Sequence, residues 1–356
     1  MHDYIIVGQG IAGTMLAHFL RQKHKKLLII DRMHHQAASA VAAGIVNPIT
    51  GRHFIKSWRV DELIPFAFQT YQSLEKLLGT KLLEFKNIAM IFDRINTVNN
   101  WAMRSGNPEV EAYVHPNFDP SFYRQFLEQV EDGVEFRQSG RILLKKVIEN
   151  YKKLLQQEER YLEEKFEHEH LEIQTDSVVY KGHRAHRIIF AEGYQAIHNP
   201  YFNYLPFLPA KGDILMVRIP DYPANDKLVK HGVFIVPWKD DIYWVGSSYN
   251  KTYKQEAPLA TEGEALKERL QRILKIDFEV LEHLCGIRPT VRDRQPFTGQ
   301  HPVFSRLFLF NGMGAKGSYL SPFFAHHFAQ YLDDQCPLDS SIDIKRYFKY
   351  FDKNKH

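Results

Sequence analysis

The chain is 356 residues long, enough for two domains or one large α/β domain, and 44% hydrophobic with 25% charged residues is an ordinary globular balance. A formal net charge of +4 without a long Lys/Arg run leaves no footprint of nucleic-acid binding. Cys285 and Cys336 stand in no CxxC and no metal-ligand spacing, and there is neither a basic leader nor an apolar run of about eighteen residues, so a reduced, metal-free cytoplasmic protein is expected.

Residues 3–31 form the most informative stretch. Tyr4-Ile5-Ile6-Val7 is a short apolar run suited to a fully buried parallel strand. It breaks into Gly8-Gln9-Gly10-Ile11-Ala12-Gly13, a G-x-G-x-x-G, after which Met15, Leu16, Phe19 and Leu20 recur at helical spacing. A second apolar run, Leu27-Leu28-Ile29-Ile30, ends in Asp31, 18 residues past Gly13. In such a unit the first glycine permits the tight turn, the second lets backbone approach a pyrophosphate, and the third lets helix pack on strand. The helix N-terminus receives the phosphates and the terminal acid a ribose hydroxyl. The unit predicts dinucleotide binding and does not by itself choose between NAD and FAD.

Small residues follow over 37–46, closed by the turn chemistry of Pro48 and Gly51, and the His34-His35 pair reads as a solvated turn. An amphipathic helix is predicted over 61–79 with Gly79 as its stop, strands over 82–93, a polar loop-rich stretch over 94–120, and a helix near 121–129. Helix is expected over 145–163, strands over 166–173 and 177–180, and a buried strand over 186–193 ending in glycine. From 205 to 250 the pattern becomes antiparallel, with strands over 211–218, 232–237 and 242–247. A helix over 262–273, a strand over 307–310, the glycine-rich Gly312–Gly317 and a helix over 321–332 complete the expected core.

A dinucleotide unit at both chain ends around a β-rich block predicts an α/β architecture, α+β overall. Residues 1–80, 135–204 and 285–356 would form a discontinuous Rossmann-like domain, and 81–134 with 205–284 an inserted, mainly antiparallel β-sheet substrate domain.

With these pieces in order, the chain resembles the FAD-dependent D-amino-acid oxidase/glycine oxidase family, which also includes sarcosine oxidase. Five separated motifs carry the resemblance: the amino-terminal G-x-G-x-x-G; SAVAAGIV from Ser39 to Val46; the strand ending at Ala191-Glu192-Gly193; CGIRPTVRD from Cys285 to Asp293; and the glycines Gly312 to Gly317 before a helix. The resemblance implies FAD as cofactor. It places Gly8, Gly10, Ile11, Ala12 and Gly13 at the pyrophosphate and Asp31 and Arg32 at the adenosine ribose. Ser39, Ala43, Gly44 and Val46 would line the way to the isoalloxazine, Leu171 would meet the adenine through its backbone, and Gly193 would close the cofactor strand. Gly312, Met313, Gly314, Ala315, Lys316 and Gly317 would border the flavin ring, where backbone donors and a helix N-terminus stabilise negative charge. Arg288 matches the arginine that grips a substrate carboxylate bidentately, with pairing to Asp293 as the alternative.

The resemblance also implies the reaction, oxidation of a C–N bond in an amino acid or secondary amine by hydride transfer to flavin N5, the imine then hydrolysing. Phe234 stands where relatives tend to carry tyrosine, and Tyr249, with Tyr243 and Trp244, is a candidate substrate wall. Cys285 occupies the region of covalent flavin attachment in sarcosine oxidase-like enzymes or is a buried thiol. Lys251 and Lys254 are either oxygen-activating or plain loop lysines, and Glu192 departs from the usual small residue. A second reading is a flavoprotein acting on a modified tRNA wobble uridine through Arg52, His53, Lys56, Trp58 and Arg59, and a third is a non-catalytic dinucleotide-binding protein.

Overall fold

The computed structural model describes residues 1–32, 37–223 and 226–351; the His34-His35 pair lies outside them. Two large sheets dominate. In the first, His2–Val7 lies between Leu27–Ile30 and His183–Phe190, with Tyr161–Leu162 beyond the former, all parallel. The carboxyl half of His183–Phe190 pairs in parallel with Leu307–Asn311, while its amino half continues antiparallel into Val178–Tyr180 and Leu171–Ile173. The unbroken apolar runs are explained by burial on both faces: Tyr4, Ile6, Leu27 and Ile29 enter one core, and Ile5, Val7, Leu28 and Ile30 the other. Helices Ile11–Gln22, Val60–Leu78 and Gly317–Leu332 cover the first of these faces.

The second sheet runs in the order Glu279–Arg288, Ala210–Arg218, Ile242–Gly246, Val233–Lys239, Leu228–His231, Ile88–Phe92, Asp132–Phe136, antiparallel except between Leu228–His231 and Ile88–Phe92. Its alternating residues divide: Ile214, Met216, Val236 and Trp244 join the core shared with the first sheet, whereas Leu215, Val217, Ile235 and Val245 pack with Leu266 and Leu270 of helix Ala260–Ile273. A small sheet of Ile45–Val46, Gly140–Ile142 and Leu83–Phe85 braces the small-residue stretch.

Several expectations are corrected. The polar stretch 94–120 carries helix Ile95–Ser105, which has no buried residue, and Pro108–Glu111, whose Asn107 cap accepts from Glu109 N at 2.9 Å. Near 121–129 there is only a 3₁₀ turn, Pro120–Gln125. The helix expected to run to 163 ends at Gln157, because Glu159 takes a left-handed φ of 55° and Tyr161–Leu162 is drawn into the sheet edge. Of 166–173 only Leu171–Ile173 is strand. The core also extends past Leu332, with Ile342 and Ile344 fully buried and Ile342 O accepting from Thr298 N at 2.9 Å.

Candidate active site

At the end of His2–Val7 the chain turns at Gly8, whose φ is +99°. A Cβ on Gly13 would stand 1.9 Å from Gly8 O, so helix and strand meet only through glycine. Gly10 caps the helix without a side chain, Ser39 Oγ accepts the Ile11 N–H at 3.1 Å, and the Asp31 carboxylate accepts from Gln9 N. Asp31 thereby fixes the loop at the same point where it borders the adjoining cavity.

That cavity, of about 440 Å³, is lined by Gly8, Gly10, Ile11, Ala12, Asp31, Arg32, Gly193 and Met313. A second, of about 310 Å³, shares Ile11, Ser39, Gly314 and Gly317 with it and continues past Ala43, Gly44, Ala315 and Lys316 to Phe234, Trp244 and Arg288. The donor set fits a dinucleotide flavin. Acids including Asp31 and Glu192 border one end for ribose hydroxyls, a helix N-terminus whose cap residue Gly10 has no side chain lies between, and a small-residue trough borders the other for a flat ring.

Other expected residues sit elsewhere. Gly13 packs against Gly8, and fully buried Val46 pairs with Gly140 on the small sheet. Leu171 belongs to the core behind the sheet, and the preceding segment 164–169, of which 166–169 was expected to be strand, lines the cavity instead. Gly312, at φ +79°, packs against Val291 and Phe297. Tyr249 is 57% exposed and lines neither cavity, but its ring centroid lies 5.5 Å from the Arg288 guanidinium. Gly44 lines the cavity and also packs backbone to backbone, since its Cβ would stand 1.9 Å from Ile142 O.

Arg288 closes the strand Glu279–Arg288. Its Nη2 donates to Ser247 Oγ at 2.5 Å and Ser248 O at 3.3 Å, while the buried Nη1 has no hydrogen-bond partner among the described residues. Desolvation lowers its pKa. Asp293 does not pair with it: that carboxylate accepts from Arg346 Nε and Tyr347 OH, both at 2.9 Å. Space for the guanidinium comes from Gly212, directly opposite Gly286 on the neighbouring strand.

Cys285 lines neither cavity; its Sγ donates to Glu256 O at 3.0 Å and burial pushes the thiol up to about 11. Lys251 and Lys254 are exposed outside the cavities. Glu192, unexplained by sequence, accepts from Asn199 Nδ2 at 2.7 Å and lies 3.3 Å from His168 Nε2. Of the residues suggested for a basic mouth, Lys56 pairs with Asp61, Arg59 pairs with Glu62 and Asp339, and Trp58 stacks on Phe324.

Of the candidate wall residues, Trp244 lines the second cavity and Tyr243 does not; sequence reasoning missed Gly246 and Ser247, which reach the cavity from and just after the strand Ile242–Gly246, and Asn47, Thr50 and Tyr319. The two-residue period marks Trp244 and Gly246 as one face; which face meets the cofactor is decided only by sheet packing.

This arrangement defines a flavin-dependent oxidoreductase. The FAD dependent oxidoreductase family, DAO, matches residues 3–331, and the chain belongs to that family, with FAD as its cofactor. It is 30% identical over 118 residues to glycine oxidase of Bacillus subtilis (strain 168), covering 33% of this chain and 32% of that protein. Over 372 aligned positions it is 23% identical to the bifunctional protein ThiO/ThiG of Synechocystis sp. (strain ATCC 27184 / PCC 6803 / Kazusa), covering 97% of this chain and 54% of that protein. The matches thus span less than two thirds of these two curated relatives. The fold is shared with glycine oxidase of Bacillus cereus ATCC 14579, with a TM-score of 0.79 at 17% identity over 95% of this chain and 96% of the other. It is also shared with iminodiacetate oxidase of Chelativorans sp. BNC1, at 0.78, 19%, 97% and 98%. Among the described residues no helix is long and apolar enough to cross a membrane.

Proposed function

We propose that this protein oxidises the C–N bond of a small amino acid or secondary amine whose carboxylate is held by Arg288. The observation that carries this reading is the buried guanidinium with one unpartnered terminal nitrogen, bordering the same cavity as the glycine-rich loop and the small-residue trough. A buried cation with neutral partners alone is costly, and a carboxylate accepting two parallel N–H bonds relieves that cost while fixing the α-carbon. Bound FAD would supply the two-electron acceptor, taking hydride at N5, and the imine product would hydrolyse in water.

The protein's own contribution is positioning. Gly8, Gly10 and the first turn of Ile11–Gln22 would hold the pyrophosphate, and Ala43, Gly44, Gly314 and Ala315 the ring. Phe234 and Trp244 would exclude water beside the reacting carbon. On this reading the first sheet, with residues 1–80, 135–204 and most of 285–356, serves the cofactor, and 81–134 with 205–284 serve the substrate together with Arg288, which ends a strand of the second sheet.

The test is an anaerobic screen of amino acids and N-substituted glycines against the purified yellow protein. Bleaching of flavin absorbance by at least one amine is expected; none by any of them would overturn the reading.

A further inference from the structure

The lining of the second cavity contains two cations, Arg288 and Lys316, and no aspartate or glutamate. One arises from the second sheet and the other from the loop that leads into helix Gly317–Leu332. Neither cation makes a salt bridge among the described residues. Arg288 donates to Ser247 Oγ and the Ser248 carbonyl, the Tyr249 ring centroid lies 5.5 Å from its guanidinium, and the charge of Asp213 favours it from a distance. Lys316 Nζ contacts Ser57 Oγ at 3.3 Å and makes no salt bridge among the described residues.

The ground around Lys316 is polar and anion-friendly. Ser57 is buried, and its Oγ lies 3.4 Å from Thr50 Oγ1. Thr50 and Asn47 line the cavity, as does Tyr319, whose buried hydroxyl stands near Ser57 and makes no well-formed hydrogen bond among the described residues. Desolvation and the neighbouring charge of Arg294 both lower the lysine pKa, so its charged form is held at a cost. A single substrate carboxylate on Arg288 leaves this second cation unanswered. The first cavity is different in kind, because acids including Asp31, Glu164, Glu167 and Glu192 line it beside Arg32 and Lys165.

We propose that the substrate is an amine bearing two carboxylates, one gripped by Arg288 and the other received by Lys316 and Thr50, with buried Ser57 bridging these two from behind. This deepens the amine-oxidation reading and rests on it. The preference it creates is one of charge number: a dianion satisfies both cations, and a monoanion of similar shape leaves one buried charge unpaired.

The experiment titrates the FAD-loaded protein with two unreactive ethers, oxydiacetate with two carboxylates and methoxyacetate with one, and follows perturbation of the flavin absorbance. Oxydiacetate is expected to bind at least about tenfold more tightly. Lys316→Met should erase that difference while leaving methoxyacetate affinity in place, and Lys316→Arg should retain it. Equal affinities in the unaltered protein overturn the proposal, a result that needs no variant to fold. So does a Lys316→Met protein that keeps the dianion preference and instead shifts the flavin midpoint potential, which assigns the lysine to the cofactor. Binding of methoxyacetate without a dianion preference contradicts this inference alone; binding of neither ether contradicts the carboxylate site at Arg288 as well.

Discussion

Residues three apart on one strand have opposite fates here. Arg288 and Gly286 border the second cavity, while Cys285 faces away, with its sulfur on the Glu256 carbonyl. The guanidinium lies where a Cβ on Gly212 would stand 2.2 Å from Nη2. Because the obstructed atom is the end of a flexible side chain, Gly212→Ala is expected to push Arg288 aside rather than unfold the protein. Affinity for methoxyacetate should fall about tenfold or more, with the melting temperature changed by only a few degrees and flavin content retained. Unchanged affinity would show that the guanidinium position is not what binds the carboxylate. The motif around Arg288 was legible in sequence; Gly212 was not, because its role depends on which residue faces it across the sheet.

At the scale of elements, helix Ile11–Gln22 would hold the cofactor's pyrophosphate only with its other side anchored. His18 does part of this work. It is 3% exposed, its Nε2 meets Gln22 Nε2 at 3.1 Å, and its ring lies edge-on to Phe19 and Tyr151. Burial lowers its pKa from 6.5 to about 4, so the folded protein holds it neutral where the unfolded chain protonates. The unfolded state therefore binds more protons in that window: the stabilisation is fully present above about pH 6.5 and is lost as pH falls toward 4. Urea unfolding should show that the parent protein loses about 2 kcal/mol more than His18→Gln between pH 7 and pH 5. Equal losses would contradict a neutral buried histidine.

Elements with strong local patterns were readable. The two parallel strands and the helix between them follow directly from unbroken apolar runs and the glycine turn, and Gly79 stops its helix at φ +62°. Those set by partners were not. Tyr161–Leu162 looks helical until Leu27–Ile30 offers it a sheet edge, and helix Ile95–Ser105 carries only a short stripe, Val98 and Trp101, half-buried against the core among polar neighbours. The long strand Glu279–Arg288 was hidden because its first half is largely exposed and polar.

On the scale of the whole molecule, the site belongs to no single segment. Its walls come from the first turn of the chain, the trough at 42–45, the glycine loop at 314–317, and the second-sheet residues Gly212, Phe234, Trp244 and Arg288. Parallel pairing of His2–Val7 with His183–Phe190, and of that strand with Leu307–Asn311, brings the chain's two ends to the same side. The cofactor motif alone indicated only that a dinucleotide binds. To the same hollow the second sheet adds a buried guanidinium without a salt-bridge partner among the described residues, and this turns a cofactor site into a candidate for amine oxidation.

The most direct measurement is rapid-mixing anaerobic reduction of the flavin by the best amine from the screen, in the parent protein and in Arg288→Met, with FAD content verified in both. Removing the guanidinium should raise the substrate dissociation constant about 100-fold, the cost of about 2–3 kcal/mol for losing a charged hydrogen-bonding partner. Reduction of Arg288→Met with an unchanged dissociation constant would contradict the account.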